Sequence, residues 1–140
     1  LVMYSSHFDY LIIGDISGKL KNLDMVLQRL HTHFKKGGKM LISVSNVRHY
    51  SIVLPLLYND EFAYTEGGIL DTTNVKLYTG KEIRKLIENS GFKVEVMGYT
   101  SIGEPDDKIN QIIDRLMEVT GNHNREPYLA YQYVVKATAV

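Results

Sequence analysis

Two short apolar runs, set apart by an interval of helix length, constrain this chain more than any other feature. Phe8-Asp9-Tyr10-Leu11-Ile12-Ile13-Gly14-Asp15 places four apolar residues in a row and stops on a glycine and a carboxylate. Lys35-Lys36-Gly37-Gly38-Lys39-Met40-Leu41-Ile42-Ser43-Val44 repeats the pattern and stops at Ser45-Asn46. Runs of this kind read as parallel strands covered on both faces, whose C-terminal tips border a ligand crevice. The interval predicts a helix over about 22–34, with Asn22 as N-cap and Leu23, Val26, Leu27 and Leu30 at helical spacing. Lys35, Lys36, Gly37 and Gly38 then close that helix: glycine supplies a left-handed stop and lysine suits the negative end of the dipole.

The pattern continues as alternating elements. After a strand over about 40–44, residues 49–58 form an apolar segment broken by Pro55, and 59–74 form a long loop rich in Gly, Asp and Thr. Loops of that length inside a domain are usually functional. Thr79 and Glu82 form a capping box before Ile83, Leu86 and Ile87, and Gly91 ends the helix. Phe92, Val94 and Val96 alternate with polar neighbours as a half-buried strand. A further helix starts at Pro105-Asp106, carries the stripe Ile109, Ile112, Ile113, Leu116 and Val119, and stops at Gly121. A last strand is expected over 128–138. Strands alternating with helices predict an α/β domain with a mostly parallel sheet and right-handed crossovers, its final strand antiparallel.

Composition narrows the function classes. The 140 residues are 44% hydrophobic, enough for the core of one domain spanning 1–140. Lys plus Arg equals Asp plus Glu at 16 each, so no whole-molecule field draws the chain to nucleic acid or an anionic membrane. The absence of cysteine excludes disulfides and thiolate metal sites and favours the cytoplasm. No apolar stretch approaches the roughly 18 residues that would suggest a membrane span.

The two strand passages, with Lys-Gly-Gly-Lys at the centre of the second, are followed by Leu70-Asp71-Thr72-Thr73-Asn74-Val75-Lys76-Leu77-Tyr78-Thr79 and by Ala130-Tyr131-Gln132-Tyr133-Val134-Val135-Lys136-Ala137. In that order they resemble the second half of a class I S-adenosylmethionine-dependent methyltransferase of the type 11 or type 12 kind, the first two being similar to its fourth and fifth strands. The resemblance covers nearly the whole chain. It implies a Rossmann-like fold, S-adenosylmethionine as cofactor and a small-molecule methyl acceptor. In that family a glycine-rich turn and an acidic residue after the first two strands hold the donor. Residues 1–7 are too short to contain them. The resemblance therefore leaves Gly14, Asp15 and Ile16 as the rim facing the methionine end of the donor, and implies weak binding by this chain alone. Gly18 and Lys19 stand where relatives have an acidic residue and a histidine, and Asn74 and Lys76 where relatives have histidine and arginine. These departures lead us to expect an inactive isolated chain, with no catalytic residue assigned.

Methyl transfer is an in-line displacement, so positioning supplies much of the acceleration and a base is needed only when the acceptor loses a proton. Asp15, at a strand tip beside a glycine, reads either as a functional carboxylate or as a loop-opening one. Asn46, Arg48 and His49 follow the second strand where an acceptor would lie; Arg48 and His49 suit an anionic acceptor, or His49 suits a base near neutral pH, and a solvated loop accounts for them too. Asp71, Thr73, Asn74 and Lys76 form a polar cluster that lines an acceptor pocket or simply makes turns. His31 and His33, two apart on a helix, face different ways and make no metal pair. A second reading is a non-catalytic interaction module, a homodimer or a complex with a partner chain, because the apolar strand over 9–14 would lie at an exposed edge. A third is another Rossmann-like or flavodoxin-like domain, with Asp15-Ile16-Ser17-Gly18-Lys19 as a weak phosphate-binding turn.

Overall fold

The computed structural model describes residues 7–15 and 17–140. Four strands, β1 (Phe8–Ile13), β2 (Phe34–Ser45), β3 (Phe92–Thr100) and β4 (Gln132–Ala139), form one sheet in the order β1-β2-β4-β3. β1 and β2 are parallel, while β4 runs antiparallel to both of its neighbours. The α/β class and the antiparallel final strand agree with the sequence. Helices α1 (Leu23–His31) and α3 (Gly80–Asn89) form the two crossovers. Both crossovers advance across the sheet in the same direction, so a right-handed path puts both helices on one face. Leu23, Leu27, Ile83 and Ile87 are fully buried there, packed in one cluster with Met40, Ile42, Val44, Val135 and Ala137.

The other face departs from the expectation of strands covered on both sides. Ile12, Leu41, Lys136 and Val96 are paired in one row across the sheet, and Tyr10 lies one row away. Tyr10 is 77% exposed, Ile12 75%, Leu41 40% and Val96 60%. Lys39, Thr138 and Lys136 all bond the Glu95 carboxylate on this side. The hydrogen bond from Lys39 and then that from Thr138 pull the Glu95 pKa down to about 2. β1 has no described strand along its outer edge.

Local corrections have physical causes. α1 stops at His31, and the segment 35–38 lies inside β2 as a bulge rather than as a helix stop: Phe8 pairs with Phe34 and Tyr10 with Lys39. Phe34 anchors that early start, packing edge-on to Phe8 and Phe92. A second bulge, between Val94 and Val96, breaks the alternation of β3, so Val94 and Met97 pack on the core while Val96 faces out. Pro55 is accommodated within a helix, α2 (Tyr50–Asn59). Helix α4 (Asp107–Thr120) starts beside Pro105-Asp106 and stops at Gly121 as expected, Asp106 capping it by accepting from the Ile109 N–H, but Val119 is 86% exposed. Tyr128 belongs to a short helix, α5 (Glu126–Leu129), ahead of β4. Among the described residues no helix is long and apolar enough to cross a membrane, and no cluster of His, Asp and Glu could hold a metal.

Asn46 and His49, just beyond the end of β2, fasten the sheet to the later part of the chain. The Asn46 side-chain amide donates to the carbonyls of Pro127 (2.8 Å) and Ala130 (2.7 Å). His49 caps α2: Nδ1 accepts from the Ser51 N–H at 3.2 Å and lies 2.8 Å from its hydroxyl. The ring is 1% exposed, and among the described residues Nε2 is buried without a partner. Burial lowers the His49 pKa to about 4.

Replacing Leu27 with Ala should cost about 2–5 kcal/mol in chemical denaturation, since a fully buried side chain leaves a cavity. His49 is held neutral in the folded state, so its contribution is complete above the unfolded value near 6.5 and is lost as pH falls towards 4. The loss should reach about 3 kcal/mol. His49→Asn keeps a capping acceptor but cannot titrate, so its stability should change less between about pH 6.5 and 4.5 than that of the parent.

Candidate functional site

The tips of β1 and β2 and the start of β4 meet at one end of the sheet, where Ser45 pairs with Gln132. A cavity of about 220 Å³ opens there, lined by Asp15, Lys19, Ser45, Asp71, Asn74 and Gln132, with Gly67, Gly68 and Tyr131 completing the wall. It is built by two loops locked together. The Gly18 carbonyl accepts from the N–H groups of Val75 (2.8 Å) and Lys76 (3.1 Å). A Cβ at Gly18 would lie 2.9 Å from the Asn74 side-chain oxygen and 3.2 Å from the Lys76 carbonyl, so glycine lets the two loops approach this closely.

Asp15 sits where β1 ends, with φ of 43°, a left-handed conformation that aspartate tolerates better than most residues. Its N–H donates to the Ser43 hydroxyl (3.0 Å), and its carboxylate accepts from the Gln132 amide (3.0 Å). Those bonds aim the carboxylate at the cavity mouth. Across from it, Asp71 accepts from the Thr73 N–H at 2.7 Å and from the Thr73 hydroxyl at 2.5 Å. The Thr73 hydroxyl bond, followed by the Thr73 N–H bond, lowers the Asp71 pKa. Lys19 donates to the Thr73 hydroxyl and lies 3.9 Å from Asp71. Asn74 holds the loop by donating to the Ile69 carbonyl (3.0 Å). The walls thus offer two carboxylates, one ammonium and two amides, a set suited to orienting a polar ligand.

The structure gathers Asp15, Asp71 and Asn74 in one cavity, with Thr73 bonded beside it and Lys76 fixed through its backbone. Gly14 adjoins Asp15 and has open space around its Cα. Ile16 lies outside the described residues. Asn46, Arg48 and His49 are placed elsewhere. Asn46 is buried and fastens the 127–130 segment, and the His49 ring packs edge-on to Tyr131 at 5.4 Å. Arg48 stacks over Tyr128, 4.9 Å from the ring centre, and faces a different cavity. Ser45, Tyr131 and Gln132 carry no site signal in the sequence. Only the antiparallel pairing of β2 with β4 brings them to the tip.

Comparisons with known proteins point in one direction. No curated protein matches the sequence. The fold is similar to that of an S-adenosylmethionine-dependent methyltransferase from Thermotoga maritima, described as a possible histamine N-methyltransferase, with TM-score 0.62 and 12% identity over 100% of this chain and 59% of that one. It is similar to a methyltransferase from Archaeoglobus fulgidus, with TM-score 0.59 and 15% identity over 96% of this chain and 60% of that one. A putative methyltransferase from Haloferax volcanii, solved in complex with the Trm112 methyltransferase activator, aligns with TM-score 0.58 and 12% identity over 99% of this chain and 57% of that one. The chain therefore spans 57–60% of the length of these solved structures. Residues 4–96, well over half of the chain, match the family model described as a methyltransferase domain, and with the sheet seen here the chain belongs to the methyltransferase domain family.

Proposed function

We propose that these residues form the acceptor side of an S-adenosylmethionine-dependent methyltransferase, with the cavity at the strand tips receiving part of a small polar methyl acceptor. The observation that carries this reading is the convergence of Asp15, Lys19, Asp71 and Asn74 at the C-terminal end of the parallel pair, in a chain of this family. Asp71 and Asn74 contact the acceptor; Thr73 and Lys76 hold their loop in shape. Asn46 and His49 act as positioning residues, through the 127–130 segment and Tyr131. The site of action is the cytoplasm.

The fit to the donor is partial. A cavity of about 220 Å³ is smaller than the roughly 300–1,000 Å³ of typical ligand pockets, so it suits one end of such a molecule. Gly14 leaves its backbone open to approach, and the Asp15 carboxylate would face the cationic methionine end. S-adenosylmethionine supplies an electrophilic methyl group on sulfur. The chain's own part is to orient the acceptor and, for a hydroxyl acceptor, to take its proton at a carboxylate.

A second reading has its own observation. The apolar row Tyr10, Ile12, Leu41 and Val96, together with the open β1 edge, suits another polypeptide better than water. We propose that a second copy of this chain covers it. Partnering has a parallel in the Haloferax volcanii methyltransferase, which was solved with an activator.

Calorimetric titration of this 140-residue chain with S-adenosylmethionine should give a dissociation constant of about 0.1 mM or weaker, or no heat. Tight stoichiometric binding would refute the partial fit. Light scattering coupled to size exclusion should show a dimer that Ile12→Lys converts to monomer. A clean monomer of the parent chain at high concentration would refute the covered face.

A further inference from the structure

The second cavity is larger, about 580 Å³, and lies between the start of α3 and the loop leading to β4. It shares no lining residue with the cavity at the strand tips. Arg48, Lys81 and Arg84 line it, against one carboxylate, Glu126. Arg48 is held in place: its Nη2 donates to the Tyr128 hydroxyl at 3.3 Å while the guanidinium rests on that ring. Arg84 shares its charge with Glu88 at 3.5 Å, and Lys81 has no ion-pair partner among the described residues.

The donors are as telling as the charge. Gly80 and Lys81 are the first two residues of the ten-residue helix α3, so their N–H groups have no partner within the helix. The Thr79 cap takes only the N–H of Glu82. Tyr133 lines the same cavity and is 3% exposed as a residue, and its hydroxyl bonds none of the described residues and reaches the cavity surface. Burial first, and Glu126 second, push its phenol up to about 12, so at neutral pH it is a donor. A Cβ on Gly80 would lie 2.6 Å from the Tyr133 ring and 3.0 Å from its oxygen. Glycine at this position thus lets the helix N-terminus approach the phenol. A hydroxyl that reaches the cavity from a buried side chain, beside the first N–H groups of a helix and three cations, turns several donors toward one acceptor.

We propose that this cavity binds a phosphate monoester group, held by the N-terminus of α3, the Tyr133 hydroxyl, Arg48 and Lys81. Phosphate is preferred over a carboxylate because it offers more acceptor oxygens and a second negative charge to match the cationic excess.

The test is a ¹H–¹⁵N NMR titration of the full chain with inorganic phosphate, with sodium chloride and sodium acetate as arms at matched ionic strength. Saturable shifts centred on Gly80 and Lys81, absent with chloride and at least about 5-fold weaker in apparent affinity with acetate, are expected. Lys81→Gln, on the exposed helix surface, should weaken phosphate binding several-fold with an unchanged spectrum elsewhere, and Arg48→Gln should weaken it about 10-fold. Tyr133→Phe should weaken it while keeping the ring packing on Gly80. Shifts that match those of chloride, or equal affinity for acetate, would overturn the proposal, as would wild-type phosphate affinity in both Lys81→Gln and Arg48→Gln.

Discussion

Burial of α1 and α3 against a single face of the sheet is the interaction on which the rest of this structure depends. Leu23 and Leu27 on one helix, and Ile83 and Ile87 on the other, are removed from water against β2 and β4. Each such side chain contributes about 1.5–3 kcal/mol. The alanines of β4, Ala137 and Ala139, leave room for the layer. At its lower end Phe8, Phe34, Phe92 and His31 stack edge to face at 5.2–6.1 Å, and His31 reaches the Val140 carbonyl at 3.0 Å. Fixing this layer fixes where β1 and β2 end, and hence where both cavities open.

The elements that carry strong local signals were legible in the sequence. α3 has its Thr79 cap and Gly91 stop, α4 has Asp106 and Gly121, and the apolar cores of β1 and β2 lie where their runs predict. The rest was decided by pairing. The Lys35-Lys36-Gly37-Gly38 segment has the composition of a helix stop, yet Phe34 is drawn into the core and makes the segment part of a strand. The bulge at Glu95 carries no local mark, although it determines that Val96 faces out. Of the candidate site residues, Asp15, Asp71 and Asn74 stand out in the sequence as polar residues at a strand tip or in a loop and line one cavity, although turn formation explains the same residue types. Ser45, Tyr131 and Gln132 do not stand out, since their roles exist only once β4 lies beside β2.

The two cavities differ in how they are built. The smaller is closed by loop-to-loop backbone bonds, with Gly18 as the clasp, and its charges are largely paired within its own wall. The larger sits where a helix begins, and its cationic side chains outnumber its one carboxylate. Ligands of opposite electrostatic character are therefore suited to the two places. The tip cavity favours a neutral or cationic group, whereas the α3 cavity favours an anion.

The place of β4 between β2 and β3 has a consequence for biosynthesis. Residues 132–139 are made after both of the strands they join, so until they leave the ribosome β2 and β3 have no ladder to share. The helical crossovers can form early, but the sheet must wait as two separate pieces with their apolar flanks uncovered. A nascent chain of this design keeps those flanks uncovered until residues 132–139 emerge, and assistance from a chaperone would matter up to that point.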